Sequence, residues 1–201
     1  FRIPKVADLP PINPPIAKKN DTNYKPYRRD EKTLARQWAL PGTEGLEHRV
    51  GGLEKSDVFG AVSTDPMNHE KMVRFRNEKV QRIADYIPEQ EIIGDESGEL
   101  LVVSWGGTKG QTYVAVRELQ KEGKKISLAH FKYIMPLPKN TANVFSKFKK
   151  IIVCELSDWQ FANYLSIVHP QFTYGKYNKV MGIPFTTTEL KNTFNQILEE
   201  E

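Results

Sequence analysis

From Glu91 onward the chain alternates short apolar runs with amphipathic helix patterns, and that alternation leaves few folds open. "EIIGDESGELLVVSW" holds a short apolar piece, a turn and a strand of the buried type. A helix pattern follows from Lys109 to Lys121, with Tyr113, Val114, Val116 and Leu119 as its stripe. "ISLAHFKYI" reads as a second strand, "MPLPKNTANVFSKF" as a turn and short helix, and "KKIIVCEL" as a third strand. "DWQFANYLSIV" is helical again, "FTYGKYNKVMGIPF" a short strand or loop, and "TTTELKNTFNQILEE" a last helix capped by a threonine. Strands joined by such helices need right-handed crossovers. They predict an α/β domain over 91–201, with a mainly parallel sheet and helices on both faces.

The preceding segment, 1–90, is built differently. Six of the thirteen prolines fall within its first 26 residues, which favours extended, polyproline-like backbone. "ALPGTEGLEHRVGGLEKSDVFGAVSTD" continues as loop with five glycines. Loops of this length are usually functional or wrapped on a partner. A linker helix then opens at Asp65, a good N-cap, with Pro66 in the first turn where its missing N–H is harmless. Met72, Val73, Val80, Ile83, Ala84 and Ile87 form its stripe, and Pro88 ends it; His69 is expected at its surface. Weak order is expected over 1–60 in isolation.

The 201 residues suffice for one well-buried domain with extra material. No apolar run approaches the roughly 18–20 residues that span a bilayer, so no membrane role is expected. The first residues lack a secretory h-region, and because Phe1 is not methionine the numbering is expected to begin inside a longer gene product. The single cysteine, Cys154, excludes an internal disulfide and any cysteine-rich metal or iron–sulfur site, and is expected to be a small buried hydrophobe in a reducing cytoplasm. Net charge is +4, with nine Lys and Arg against four acidic residues in 1–40. Prolines separate these charges and no nucleic-acid module is visible, so a solvated or subunit-contacting arm fits better than a nucleic-acid tether.

The glycine turn "SWGGTKGQT" raises the question of phosphate binding. A P-loop fails, because the residue five beyond Gly106 is Gln111 and no Lys-Ser/Thr pair follows a glycine. A dinucleotide fingerprint fails on the spacing of Gly106, Gly107 and Gly110, and on the missing acid after the next strand. What remains is a helix N-terminus at Gly106, Gly107, Thr108 and Lys109, which serves either packing or an anion contact. No Ser-His-Asp, Cys-His or metal-spaced cluster can be assembled, and His130 reads as a satisfied strand histidine.

Six phrases in order carry a resemblance: "PGTEGLEHRVGGLE", "STDPMNHEKMVRFRNEKVQRI", "LLVVSWGGTKG", "MPLPKN", "ELSDWQ" and "NKVMGIPF". Together they resemble the C-terminal third of the α subunit of 2-oxoacid:ferredoxin oxidoreductases, especially the 2-oxoglutarate type. The resemblance implies an α/β domain similar to the C-terminal domain of transketolase, used chiefly for assembly, with 1–90 connecting it to upstream domains of the same α subunit. It implies oxidative decarboxylation of a 2-oxoacid to an acyl-CoA, with ferredoxin as acceptor. Thiamine diphosphate, Mg²⁺ and an iron–sulfur cluster are implied for the full complex, with a β subunit holding the diphosphate; none is expected on this chain alone, nor activity. His48, Arg49, Gly51, Gly52, Leu53 and Glu54 match the family's loop. His48, Arg49 and Glu54 are the residues that would face a 2-oxoacid or CoA, unless their charges pair among themselves or with another subunit. Two departures stand out. Lys55, Ser56 and Asp57 follow Glu54 where relatives often continue His-Asp-Glu, and Trp159 stands where relatives often have glycine, which is expected to change that helix start. The rival reading is a free-standing α/β module that binds an anionic ligand at the Gly106–Gly110 turn.

Overall fold

Four apolar runs become one parallel sheet in the computed structural model, which describes residues 3–200. The strands are β1 (Gly98–Trp105), β2 (Ile126–Phe131), β3 (Phe148–Glu155) and β4 (Gly175–Asn178), in the order β2-β1-β3-β4. Every neighbouring pair is parallel; Leu101 lies between Ser127 and Ile151, and Val103 between Ala129 and Val153. A parallel sheet is covered on both faces, and so its central strand reads as a continuous apolar run without alternation. Leu100–Ser104 of β1 are all fully buried.

The alternation of side chains sorts them into two layers. Leu101, Val103, Phe131 and Val153 face a cluster that includes Phe145 of α3 (Thr141–Phe145) and Phe161 and Leu165 of α4 (Gln160–Val168). Leu100, Val102, Leu128 and Ile152 face the other, with Val116 and Leu119 of α2 (Lys109–Lys121) and Leu190 and Phe194 of α5 (Thr187–Glu199). The expected helices on both faces are therefore present. Burial of about 1.5–3 kcal/mol per large side chain, repeated over both layers, lets this unit hold itself together. The short apolar piece "EII" is not a strand of its own. Ile93 makes a two-bond antiparallel bridge to Leu128 and covers the outer edge of β2.

The chain divides into two compact units, Phe1–Ile83 and Ala84–Glu201. In the first, α1 (Pro66–Gln81) is the one α-helix among the described residues. Asp65 caps it by accepting from the Met67 N–H at 3.0 Å, and a 3₁₀ turn, Arg82–Asp85, follows it well before Pro88. Of the expected stripe only Met72 is buried; Val73 and Ile83 are exposed. Periodicity marks the faces of a helix, but burial needs an opposing surface, and this unit provides one only along Met72. Elsewhere the unit is turns tied by isolated bridges, Tyr27 to Val58, Arg29 to Arg36 and Lys55 to Val62. Residues 3–16 are all exposed.

Candidate functional site

The loop expected to carry recognition spans His48–Glu54 in the first unit. His48 and Arg49 are exposed. The His48 ring sits 5.9 Å from that of Tyr24, and its Nδ1 lies 2.8 Å from the Leu46 carbonyl. Arg49 makes no ion pair among the described residues. Glu54 turns to α1, where His69 Nδ1 is 2.8 Å and Arg76 is 3.4 Å from its two carboxylate oxygens. The hydrogen bond from His69, then that from Arg76, hold the Glu54 carboxyl below its ordinary value. Glu54 is therefore paired with His69 and Arg76 and not with His48 or Arg49.

What holds this loop is Lys55, which the sequence marks only as a departure from its relatives. Its side chain is almost completely buried, and its ammonium donates to the carbonyls of Gly51 at 3.0 Å and Leu53 at 2.6 Å. A buried lysine is rare enough that nothing in composition announces one. His69 was likewise placed at the surface correctly, but its pairing with Glu54 fifteen residues earlier has no local signature.

In the second unit the glycine turn is a 3₁₀ segment, Gly106–Thr108, leading into α2. Gly106 has φ +59°, a left-handed conformation that glycine adopts freely. Thr108 is buried and donates to the Trp105 carbonyl at 2.8 Å, and the Thr112 hydroxyl donates to the Thr108 carbonyl at 2.8 Å. No side chain caps α2. Gly107 and Lys109 are exposed, and Lys109 makes no ion pair among the described residues. The turn is thus organised by its threonines, and its glycines serve the backbone path.

Two polar groups beside it, Ser104 and Glu155, are buried. Ser104 Oγ lies 2.8 Å from His130 Nδ1, with Thr112 behind it, but Ser104 is completely buried and can reach no substrate. Burial, with lesser help from Lys109 and Lys132, holds His130 below the usual histidine value. Glu155, at the end of β3, is also buried and accepts from the N–H groups of Phe161 at 3.0 Å and Ala162 at 3.1 Å and from the Ser157 hydroxyl at 2.6 Å. It fills the helix start of α4 with the protein's own anion. Cys154 is fully buried and its thiol is pushed well up by burial, as a structural cysteine requires. Among the described residues, no group of three His, Cys, Asp or Glu is placed to hold a metal ion, and no helix is long and apolar enough to cross a membrane.

The sheet is parallel and covered by helices on both faces, and the chain belongs to the family of α subunits of 2-oxoacid:ferredoxin oxidoreductases. No family model matches it. It is 39% identical over 199 residues to the 2-oxoglutarate oxidoreductase subunit KorA of Mycobacterium tuberculosis, a match that covers 94% of this chain and 29% of that protein. Subunit α of 2-oxoacid:ferredoxin oxidoreductase 1 of Aeropyrum pernix is 28% identical over 77% of this chain and 24% of its own length. In structure it is similar to the 2-oxoglutarate:ferredoxin oxidoreductase of Magnetococcus marinus, solved with 2-oxoglutarate, coenzyme A and succinyl-CoA bound. The TM-score is 0.84, with 28% identity over 98% of this chain and 34% of that one. The chain spans about a third or less of the length of the relatives it matches.

Proposed function

We propose that the chain is the C-terminal assembly part of the α subunit of a 2-oxoglutarate:ferredoxin oxidoreductase, which converts a 2-oxoacid to an acyl-CoA and passes electrons to ferredoxin. The match to KorA over nearly the whole chain, but less than a third of that subunit, carries this reading. The first unit supports it: Ile3, Val6, Ile12, Trp38, Leu53 and Phe59 are large apolar side chains left exposed. Such a surface suits a strap that lies against other domains of the α subunit and a β subunit. In this reading residues 1–90 connect, residues 91–201 form a transketolase-like assembly domain, and the complex is cytoplasmic. In this reading thiamine diphosphate, Mg²⁺ and the iron–sulfur cluster belong to parts of the complex outside this chain, whose sequence holds one cysteine.

Arg49 is the residue of the loop best suited to an anionic 2-oxoacid, with a free guanidinium fork. The test is reconstitution. The assembled complex reduces ferredoxin with 2-oxoglutarate and CoA, while the 201-residue chain alone neither turns over nor binds thiamine diphosphate in calorimetry. Turnover by the chain alone, or none by the complex, ends this reading. The rival reading, an anion-binding module at the Gly106–Gly110 turn, predicts that Lys109→Ala abolishes anion binding; the assembly reading predicts unchanged KM values.

A further inference from the structure

Residues 3–12 carry an apolar side chain at every third position, Ile3, Val6, Leu9 and Ile12, with Pro, Lys, Ala and Asp between them. Lys5 (φ −73°, ψ 149°) and Leu9 (φ −82°, ψ 138°) have polyproline II backbone, and Val6–Asp8 between them is one 3₁₀ turn. Both conformations have about three residues per turn, so the four side chains fall on one straight stripe. An α-helix would spread the same spacing around half its circumference. All four are exposed, so the first unit leaves the stripe uncovered.

The same unit holds a cleft of about 310 Å³ with the chemistry that reads such a backbone. Tyr24, Trp38 and His48 form an aromatic wall, with Pro26, Leu40 and Pro41 beside them. Trp38 is 61% exposed, so the wall is open to a ligand. Polyproline II has no internal hydrogen bonds and leaves its carbonyls free, and the Trp38 indole N–H and the Tyr24 hydroxyl are donors for them. Proline-rich segments dock in aromatic-lined grooves through such rings. Charge agrees. Arg36 and Lys79 line this cleft, and no Asp or Glu among the described residues does. An adjoining cleft of about 440 Å³ shares them and gathers Arg29 and Arg76 around Glu54. Asp8, the one acid of residues 3–12, suits this cationic margin.

The arm is pinned at the margin of the aromatic cleft. Ala17 N–H donates to the Trp38 carbonyl at 2.9 Å, and Trp38 N–H to the Pro15 carbonyl at 2.8 Å. Pro10, Pro11, Pro14 and Pro15 lie just before or at that anchor and stiffen the chain, which opposes a fold back into the cleft beside it. A stiff arm fixed next to a groove that it fits but does not fill favours exchange between copies, each arm in the other's groove. We infer that residues 3–12 dock by their apolar stripe against Tyr24, Trp38 and His48 of a second copy of this chain, in a reciprocal two-fold contact. The inference deepens the assembly reading by naming what the arm lies on. It rests on that reading only for the native assembly that brings two copies together.

The test uses the full protein that carries this chain, in its native assembly, with a benzophenone amino acid placed at one arm position at a time. In place of Val6, Leu9 or Ile12, irradiation should give an adduct of twice the full chain's mass on a denaturing gel, mapped to a peptide that holds Trp38 or Pro41. Ala7 and Asn13 lie off the stripe, and labels there should give several-fold less adduct. With the label at Leu9, Trp38→Ala should cut the adduct about tenfold, and Trp38→Phe should keep most of it, because a ring is what the arm needs. Trp38 is exposed, so neither variant disturbs a core. No adduct, or adducts confined to the label's own chain, to a different subunit or to another surface of the second copy, overturns the inference. Equal reaction on and off the stripe, or a yield unchanged by Trp38→Ala, overturns it as well. Loss of 2-oxoacid oxidation in the unaltered assembly would sink the proposed function alone, because the adducts still report the contact.

Discussion

The two units of this chain are held by different physics. In Ala84–Glu201, Leu, Val, Ile and Phe side chains fill two layers around a parallel sheet, and polar groups such as Glu155 close the helix ends. In Phe1–Ile83 the buried apolar side chains are few, chiefly Leu34, Leu46 and Met72. Its order comes instead from local turns, from Lys55 under its glycine loop, and from guanidinium groups against rings, Arg29 on Phe75 at 5.0 Å and Arg36 on Tyr27. Apolar burial grows roughly with the area removed from water and is not screened by salt as charges are, whereas such polar ties are individually weak and sensitive to their surroundings. The first unit thus resembles half of an interface and the second a finished domain.

That contrast breaks most visibly under protease. Trypsin should cut first within residues 3–60 and leave the second unit intact; cleavage inside 98–178 at comparable rates would erase the distinction. Core truncation should be nearly as decisive. Phe194 is fully buried, and Phe194→Ala should destabilise the second unit by about 3–5 kcal/mol. Phe59 in the first unit is 68% exposed, and Phe59→Ala should change stability by less than about 1 kcal/mol. Denaturant midpoints read both, and equal losses would show that the first unit has a core of its own.

Glu155→Ala should come next. It strips the partner from two buried N–H groups and one hydroxyl, at about 2–4 kcal/mol, and Glu155→Gln should recover part of that because an amide oxygen can still accept. If the two variants behave alike, the charge is what the α4 start requires.

The same division explains what could be read from the sequence. Strands and helices of the second unit follow from period and punctuation, and α2 covers the expected stretch of about Lys109 to Lys121 because a glycine turn starts it and Gly123 ends it. Trp159 was legible as a departure only through the resemblance, because relatives often have glycine at that position. The clefts of the first unit were not. Arg29, Arg36, Arg76 and Lys79 are spread over fifty residues and gathered by bridges and one helix, with no spacing to mark them. The loop at His48–Glu54 was found through resemblance, while the lysine that shapes it is one position beyond the matching phrase.

Acid sharpens the comparison more gently. Burial holds His130 and His169 below the ordinary value of 6.5, so the unfolded chain takes up their protons first and the second unit loses stability as pH falls from about 6.5. Glu54 is held below its ordinary 4.5, so its share of the first unit's stability is present above that pH and is lost as pH falls through its lower folded value. His130→Asn should flatten the dependence of the second unit's denaturant midpoint between pH 6.5 and 5. A slope equal to that of the unaltered protein would assign that dependence elsewhere.

The smallest effect belongs to Trp159→Gly, where two terms oppose. Trp159 has φ +57°, and a left-handed backbone costs a non-glycine residue about 1–2 kcal/mol. The helix start keeps this conformation with tryptophan in it because the side chain gives something back: its indole N–H bonds Asn178, and Lys176 lies 4.9 Å from its ring. Those exposed contacts contribute about 0.5–1.5 kcal/mol together, so the net change should be within about 1 kcal/mol of zero. Lys176→Ala helps separate the terms, since it leaves the backbone alone and removes only the cation, with its contact to the ring and its hydrogen bond to Asn163 at 2.9 Å. If Trp159→Gly stabilises the second unit by more than that, the tryptophan is kept for a surface it meets outside this chain and not for the fold.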